Sequence, residues 1–509
     1  MAKLYVFGIG GTGSRVLRSL TMLLAAGVEC GMDTIVPIII DRDMSNKDLS
    51  RTKLLIQDYI KVHNIVEPKG KNQFFKTKIE LLNNELCLQL KDKTEQFYEF
   101  IGAKKDVISE DNLALVKMLF SEETLNMDMT AGFQGNPNIG SVVLNQFDNS
   151  DIFKAFAADF NSSENKIFII SSIFGGTGAS GFPLLRKVLQ TPNQKDSQGR
   201  PLSNWGIVNN AHIGAISVLP YFQVKPATDD SQVDSDTFID KAKAALSYYK
   251  QEDKKLDTLY YIADKRTTTY EHNKGGNAQR NNAHFVELVA ALSILDFVNP
   301  QKKGDNIHRN DDNEIEETRY KEFGIKSDNT KINFDTLEDA TKTLLVNPLS
   351  RFLLFSKYMG YYNVTERIEN KEIIIECIKA ENNTFEKERK YQPYAHKILY
   401  PNFSPIEELR KVFSQFCIWL YEMNNQTRKF SPFNLTTENA FDFIEGEIKD
   451  IVISNKGMFS NWAKVDNELN RQSRNVKNKK SEPQKYFLEL FYLATEALLN
   501  FKLSNAKNK

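Results

Sequence analysis

The chain has 509 residues, 41% of them apolar, with 66 Lys and Arg against 66 Asp and Glu. That length supplies a large core and two or three domains, and zero formal charge gives no general attraction to nucleic acid. Four scattered cysteines without a CxxC pair, and six histidines at no ligand spacing, name no zinc, redox or other metal site and fit a reducing compartment.

"MAKLYVFGIGG" reads as a strand running into a glycine loop rather than as a signal peptide. No stretch of 18 apolar residues occurs, so no membrane span is expected and a cytoplasmic location is. "SRVLRSLTMLLAAG" has helical spacing and stops at Gly27. "TIVPIIIDRD" is a second strand, ending in Asp41 and Asp43. A polar loop "EPKGKNQ" follows, with Lys69 and Lys71, then helical patterns such as "KTKIELLNNELCLQL".

"DIFKAFAADF" is a helix, "KIFIISSI" a strand, "SGFPLLRKVLQ" a helix and "GAISVLPYF" a strand. "FIDKAKAALSYYK" is helical, "LDTLYYIAD" a strand, and "NAQRNNAHFVELVAALSILDFV" a long apolar helix. This alternation predicts an α/β fold with a parallel sheet covered on both faces over residues 1–298. Residues 299–330 are polar and charged and read as a loop or linker. Residues 331–509 read as a second, mostly helical domain. Its strongest patterns are "SPIEELRKVFSQFCIWLYEM", "TTENAFDFIEGEIKDIVI" and "PQKYFLELFYLATEALLNF".

Chemistry concentrates in glycine loops placed between a strand and a helix. In the first, Gly8, Gly10, Gly11 and Gly13 surround Thr12, with Ser14 beyond. Missing side chains let backbone N–H groups approach a polyphosphate at the positive end of the helix. The alternative is a tight turn with close strand–helix packing. In the second, Gly175, Gly176, Gly178 and Gly181 surround Thr177 and Ser180. Neither loop is a P-loop, since both lack Lys. A third stretch, "AGFQGNPNIGS", carries Gly132, Gly135, Asn136 and Gly140 and is either a phosphate-side loop or a surface turn.

These stretches resemble the tubulin and bacterial FtsZ superfamily. "GIGGTGSRV" is similar to its first nucleotide loop, and "FGGTGASG" to its signature GGGTG[ST]G, with Phe174 at the first signature glycine and Ser180 inserted before the last. "AGFQGNPNIG" resembles the loop beside the gamma-phosphate, and "SVLPYF" the strand end before the ribose-side loop. The resemblance implies a divergent prokaryotic tubulin-like protein. It implies a nucleotide-binding domain with a long central helix, GTP or GDP with Mg²⁺ as a further candidate, and self-assembly into oligomers or filaments. On this basis the ligand-binding residues are Gly10, Gly11, Thr12, Gly13, Asp41, Asp43, Gly135, Asn136, Gly175, Gly176, Thr177 and Gly178. Asn282, among Asn277, Gln279 and Asn281, is the base-reading amide at the start of the central helix; the alternative for each is a helix cap.

In such polymers an acidic loop of one subunit positions water against the nucleotide of the next. "KINFDTLEDA" resembles it and offers Asn333, Asp335 and Glu338 as catalytic groups. Asp335 followed by Glu338 is equally a capping box. Assembly-dependent GTP hydrolysis therefore stands beside a nucleotide-binding switch or scaffold with negligible turnover, whose helical domain recruits a protein partner. A third candidate is an ATP-dependent adenylating enzyme of the ubiquitin-activating type, suggested by "GIGGTGS" and "IIIDRDMSN" but leaving "GNPNIG" and "GGTGASG" unexplained. A dinucleotide-dependent oxidoreductase would leave the second loop idle.

Overall fold

The computed structural model describes residues 2–66, 72–103, 108–225, 237–251, 255–299, 309–322, 329–358, 365–374, 406–437, 440–448, 462–473 and 483–499, apart from 91, 93, 131, 134, 197, 272–274, 311–312 and 369–370. Lys69 and Lys71 lie outside the described residues.

Strand β1 (Lys3–Ile9) runs directly into helix α1 (Gly10–Ala25), and β2 (Thr34–Ile40) leads to α2 (Lys47–Val66). Two short strands, β3 (Lys78–Ile79) and β4 (Cys87–Leu88), precede α3 (Pro137–Leu144) and α4 (Asp151–Asp159). Then come β5 (Lys166–Ser172), α5 (Gly176–Leu189), β6 (His212–Val218), α6 (Phe238–Gln251), β7 (Thr258–Ile262), α7 (Phe285–Val298) and β8 (Arg319–Glu322). The eight strands form one parallel sheet in the order β8-β7-β6-β5-β1-β2-β3, with β4 also on β2.

Side chains alternate across this sheet, as a strand buried on both faces requires. On β1, Leu4 and Val6 enter one core, while Tyr5, Phe7 and Ile9 enter the other. The first core lies under α1, α2 and α7; the second lies under α3 to α6.

The C-terminal helices are α8 (Asp339–Tyr358), α9 (Ile406–Asn424), α10 (Trp462–Gln472) and α11 (Pro483–Leu498). Their Leu349, Phe352, Phe413, Phe416, Trp419 and Phe491 belong to the same core as Leu4, Leu20 and Leu288. The described residues of these helices therefore pack as a further layer against the α1, α2 and α7 side of the sheet.

Three expectations change. "KTKIELLNNELCLQL" is not helical: Asn83 and Asn84 take φ of 52° and 59°, turning the chain between β3 and β4. A left-handed pair breaks a helix, and Asn tolerates it. The polar segment 299–330 supplies β8, the edge strand of the main sheet. "TTENAFDFIEGEIKDIVI" turns instead of coiling over its described residues. Gly446 has φ of 94°, and Phe433 pairs in a bridge with Ile444.

Candidate functional site

The strand order reverses direction between β5 and β1. From β1 the chain adds β2, β3 and β4 on one side; from β5 it adds β6, β7 and β8 on the other. At such a switch point the loops leaving the carboxyl ends of adjacent strands diverge to opposite faces and open a crevice. The first two glycine loops leave these two strands.

The loops meet. A Cβ built on Gly10 would lie 3.3 Å from the Thr177 Cβ and 3.6 Å from the Gly178 amide nitrogen. Gly10 itself has φ of 70°, a conformation that disfavours any side chain. The third loop closes on the second, since a Cβ at Gly176 would lie 3.0 Å from the Asn136 nitrogen and from Phe133. Other glycines serve packing. Gly13 would strike the Gly8 carbonyl carbon at 2.5 Å, and Gly178 the Ser172 oxygen at 2.4 Å.

Two helix N-termini thus converge. Neither α1 nor α5 has a side-chain cap or an acidic residue in its first turn. First-turn N–H groups have no intrahelical partner, so each end carries partial positive charge that suits an anion. Helix α3 contrasts with them: Asn136 caps it, its Oδ1 accepting from the Asn138 and Ile139 nitrogens at 3.0 and 3.4 Å. Lysine is absent from the loops, but Lys241 of α6 reaches in, its Nζ donating to the Gly135 carbonyl at 3.2 Å.

Asp41 and Asp43 divide roles. Asp43 ties the β2 loop down: its Oδ1 accepts from the Ser45 nitrogen and hydroxyl at 3.1 and 2.8 Å, and its Oδ2 from the Gly276 nitrogen at 2.7 Å. Asp41 accepts from the Asp43 nitrogen at 3.2 Å. Burial pushes its carboxyl up to about 7, with the Asp43 charge adding to the rise. Among the described residues no group of three or more His, Cys, Asp and Glu could hold a metal by itself.

Beneath the first loop lies a buried ionic network. Arg15 of α1 is 4% exposed. Its Nε donates to Glu287 Oε1 at 2.6 Å and its Nη1 to Asp48 Oδ2 at 3.1 Å. Its Nη2 donates to the Tyr221 hydroxyl at 3.0 Å and the Thr12 hydroxyl at 3.4 Å. Burial alone would lower its pKa, but Tyr221, Glu287 and Asp48 outweigh burial and hold it protonated. One turn further, Arg18 donates to Glu422 of α9 at 3.0 Å, and Glu422 also accepts from Arg51 and Arg280. The signal in the sequence is a charge inside an apolar helix: Arg15 and Arg18 in "SRVLRSL", Glu287 in "HFVELVAALSILDFV".

The amides that the sequence suggests as base contacts lie off the helix. Helix α7 begins at Phe285, capped by His284 with Glu287 reaching back to the His284 nitrogen. Asn277 sits in a 3-10 turn, and Asn281 and Asn282 in an irregular connection. Asn282 is exposed, and its carbonyl accepts from the Tyr270 hydroxyl at 2.9 Å. Phe174 is buried against Phe222 and Phe238, with ring centroids 5.4 and 5.1 Å away.

The acidic segment packs near the start of α7. Ile332 pairs with Phe430, and Phe430 stacks 5.0 Å from Phe285, the first residue of α7. That is the end of the sheet where the glycine loops lie. The Asn333 Oδ1 accepts from the Asp335 and Thr336 nitrogens, so the capping box is Asn333 with Thr336 rather than Asp335 with Glu338. Asp335 Oδ2 accepts from the Glu447 nitrogen at 2.7 Å. Glu338 immediately precedes α8.

No protein-family model matches the chain, and no curated protein matches it. Among solved structures the chain is similar to a single-substitution mutant of FtsZ from M. jannaschii, at 17% identity and a TM-score of 0.25. The match covers 52% of this chain and 47% of that one, so the chain spans about half the length of that structure. Among the described residues no helix is long and apolar enough to cross a membrane.

Proposed function

We propose that the crevice between the first two glycine loops binds a nucleoside triphosphate. The carrying observation is the convergence of two uncapped helix N-termini on the switch point of a parallel sheet, with Gly10 packed on Thr177 and Gly178. Amides of Gly11, Thr12 and Gly13 and of Gly176, Thr177 and Gly178 face the phosphates, and Asp41 holds the Mg²⁺. Gly135, Asn136 and Lys241 border the terminal phosphate. The order of the three loops, which resembles the tubulin and FtsZ pattern, makes GTP the favoured nucleotide. Asn282 is retained only as a base contact from the irregular connection before α7.

A nucleotide-dependent switch or scaffold accounts for this geometry better than hydrolysis across a head-to-tail interface. Asp335 accepts a hydrogen bond from the Glu447 nitrogen, so its carboxylate holds a turn together. The discriminating experiment measures phosphate release against protein concentration with GTP and ATP, and light scattering on the same samples. Tight GTP binding with flat, slow release supports the switch. Release that rises steeply with concentration, tracks scattering and disappears in Asp335→Ala would restore the assembling GTPase.

A further inference from the structure

At the β8 edge of the sheet, on the face opposite α7, a cavity of about 540 Å³ opens between α5, α6, β7 and β8. Its size falls within the roughly 300–1,000 Å³ of ligand clefts. Arg186, Tyr249, Lys250, Lys255, Tyr261 and Tyr320 line it, and Glu317 is the carboxylate among the lining residues. Three cations against one carboxylate leave the lining two charges positive.

The aromatic lining is arranged. Tyr261 and Tyr320 are nearly parallel, 16° apart with centroids 6.3 Å apart. Tyr320 stands 63% exposed on the outermost strand, where a flat ligand could cover its ring. Arg186 is 3% exposed and sits 5.6 Å from the Phe182 ring centroid, which fixes the guanidinium in a dry wall. The walls are cross-tied. The Tyr249 hydroxyl donates to the Ala179 carbonyl at 3.0 Å, the Lys255 Nζ to the Glu316 carbonyl at 2.8 Å, and the Leu256 nitrogen to the Thr318 hydroxyl at 2.9 Å. Such ties hold a site in shape before a ligand arrives.

We propose that this cavity is a second ligand site, built for a planar aromatic anion of the size and charge of a nucleoside monophosphate. The ring lies against Tyr320 and Tyr261, and the oxyanion meets Arg186, Lys250 and Lys255, since a guanidinium fork and ammonium groups suit phosphate oxygens. The site is separate from the glycine-loop crevice: Arg186 lies some three turns, ~15 Å, along α5 from Gly176.

Equilibrium dialysis of the full chain with labelled AMP tests it, with adenosine and inorganic phosphate as competitors. Thr177→Glu closes the glycine-loop crevice with a carboxylate. Tyr320→Ala removes an exposed ring, and Lys250→Gln with Lys255→Gln removes exposed charge together with the single tie from Lys255 to the Glu316 carbonyl, so all three variants should fold. AMP should bind wild type and Thr177→Glu alike, and Tyr320→Ala should weaken it by roughly tenfold, the effect of losing one stacking face. The double glutamine variant should weaken AMP and leave adenosine unaffected. The proposal is overturned by an absence of AMP binding at millimolar concentration, by binding lost in Thr177→Glu and kept in Tyr320→Ala, or by phosphate competing as well as AMP. GTP binding at the glycine loops is scored separately by its sensitivity to Thr177→Glu, so either site can fail alone.

Discussion

Two glycines in one loop have opposite reasons to be glycine. Gly13 has no room: a Cβ would sit 2.5 Å from the Gly8 carbonyl carbon. Gly13→Ala should cost about 1–3 kcal/mol of stability, read as a lowered denaturation midpoint. Gly11 meets nothing nearer than Arg15 Nη1 at 3.5 Å, so its Cβ is tolerated and stability should stay within about 1 kcal/mol. Asp41 carries a pH signature. Its folded pKa, about 7, lies above its ordinary value of 3.8, so the folded state binds the extra proton and stability falls as pH rises from 4 to 7. Asp41→Asn should abolish that decline, on the order of 4 kcal/mol at most. Binding of Mg²⁺ and nucleotide should lower the Asp41 pKa and release a proton near pH 6.5, measurable by calorimetry in buffers of different ionisation enthalpy.

Helix α1 does two things along its length. Its first turn faces the crevice, and its second and third turns carry Arg15 and Arg18 into the ionic network joining α2, α7 and α9. Burial pushes the Glu422 carboxyl up, but Arg51, Arg18 and Arg280 outweigh it and hold it at about 2. Its ordinary value is 4.5, so this stabilisation is complete above pH 4.5 and fades as pH falls toward 2. Glu422→Gln should therefore flatten the acid-unfolding limb while lowering stability at neutral pH by about 3–5 kcal/mol. The elements around this network were legible where periodicity was strong. The strands at "KLYVFGIG", "TIVPIIIDRD", "KIFIISSI" and "GAISVLPYF" read directly, because strands buried on both faces leave continuous apolar runs. Strands β3, β4 and β8 did not. Two to four residues long and held by neighbouring strands, they have no pattern of their own. The glycine loops were legible as a candidate site, but Lys241, Tyr221 and Glu287 come from distant segments and join it only in the fold.

At the scale of the whole molecule, the C-terminal helices share a core with α1 and α7, so an event at the glycine loops has a continuous packed route to α9 through Arg18 and Glu422. Beyond β8 the acidic segment pairs through Ile332 with Phe430, beside the start of α7. Asp335→Ala should cost about 1 kcal/mol, the loss of one hydrogen bond to the Glu447 nitrogen, and should leave nucleotide affinity unchanged.

In the proposed site α1 and α5 aim their N-termini at phosphate, and one variant separates that from packing. Thr177 is half-buried in the first turn of α5, next to Gly10. Thr177→Glu places a carboxylate where the phosphates would lie, and a carboxylate in a first turn favours the helix by about 0.3–1 kcal/mol. The measurement is GTP affinity by titration, with the thermal midpoint taken on the same samples. GTP binding lost by a hundredfold or more, in a protein as stable as wild type or more so, is the expected result. Unchanged GTP affinity in a stable Thr177→Glu protein would contradict the phosphate site outright.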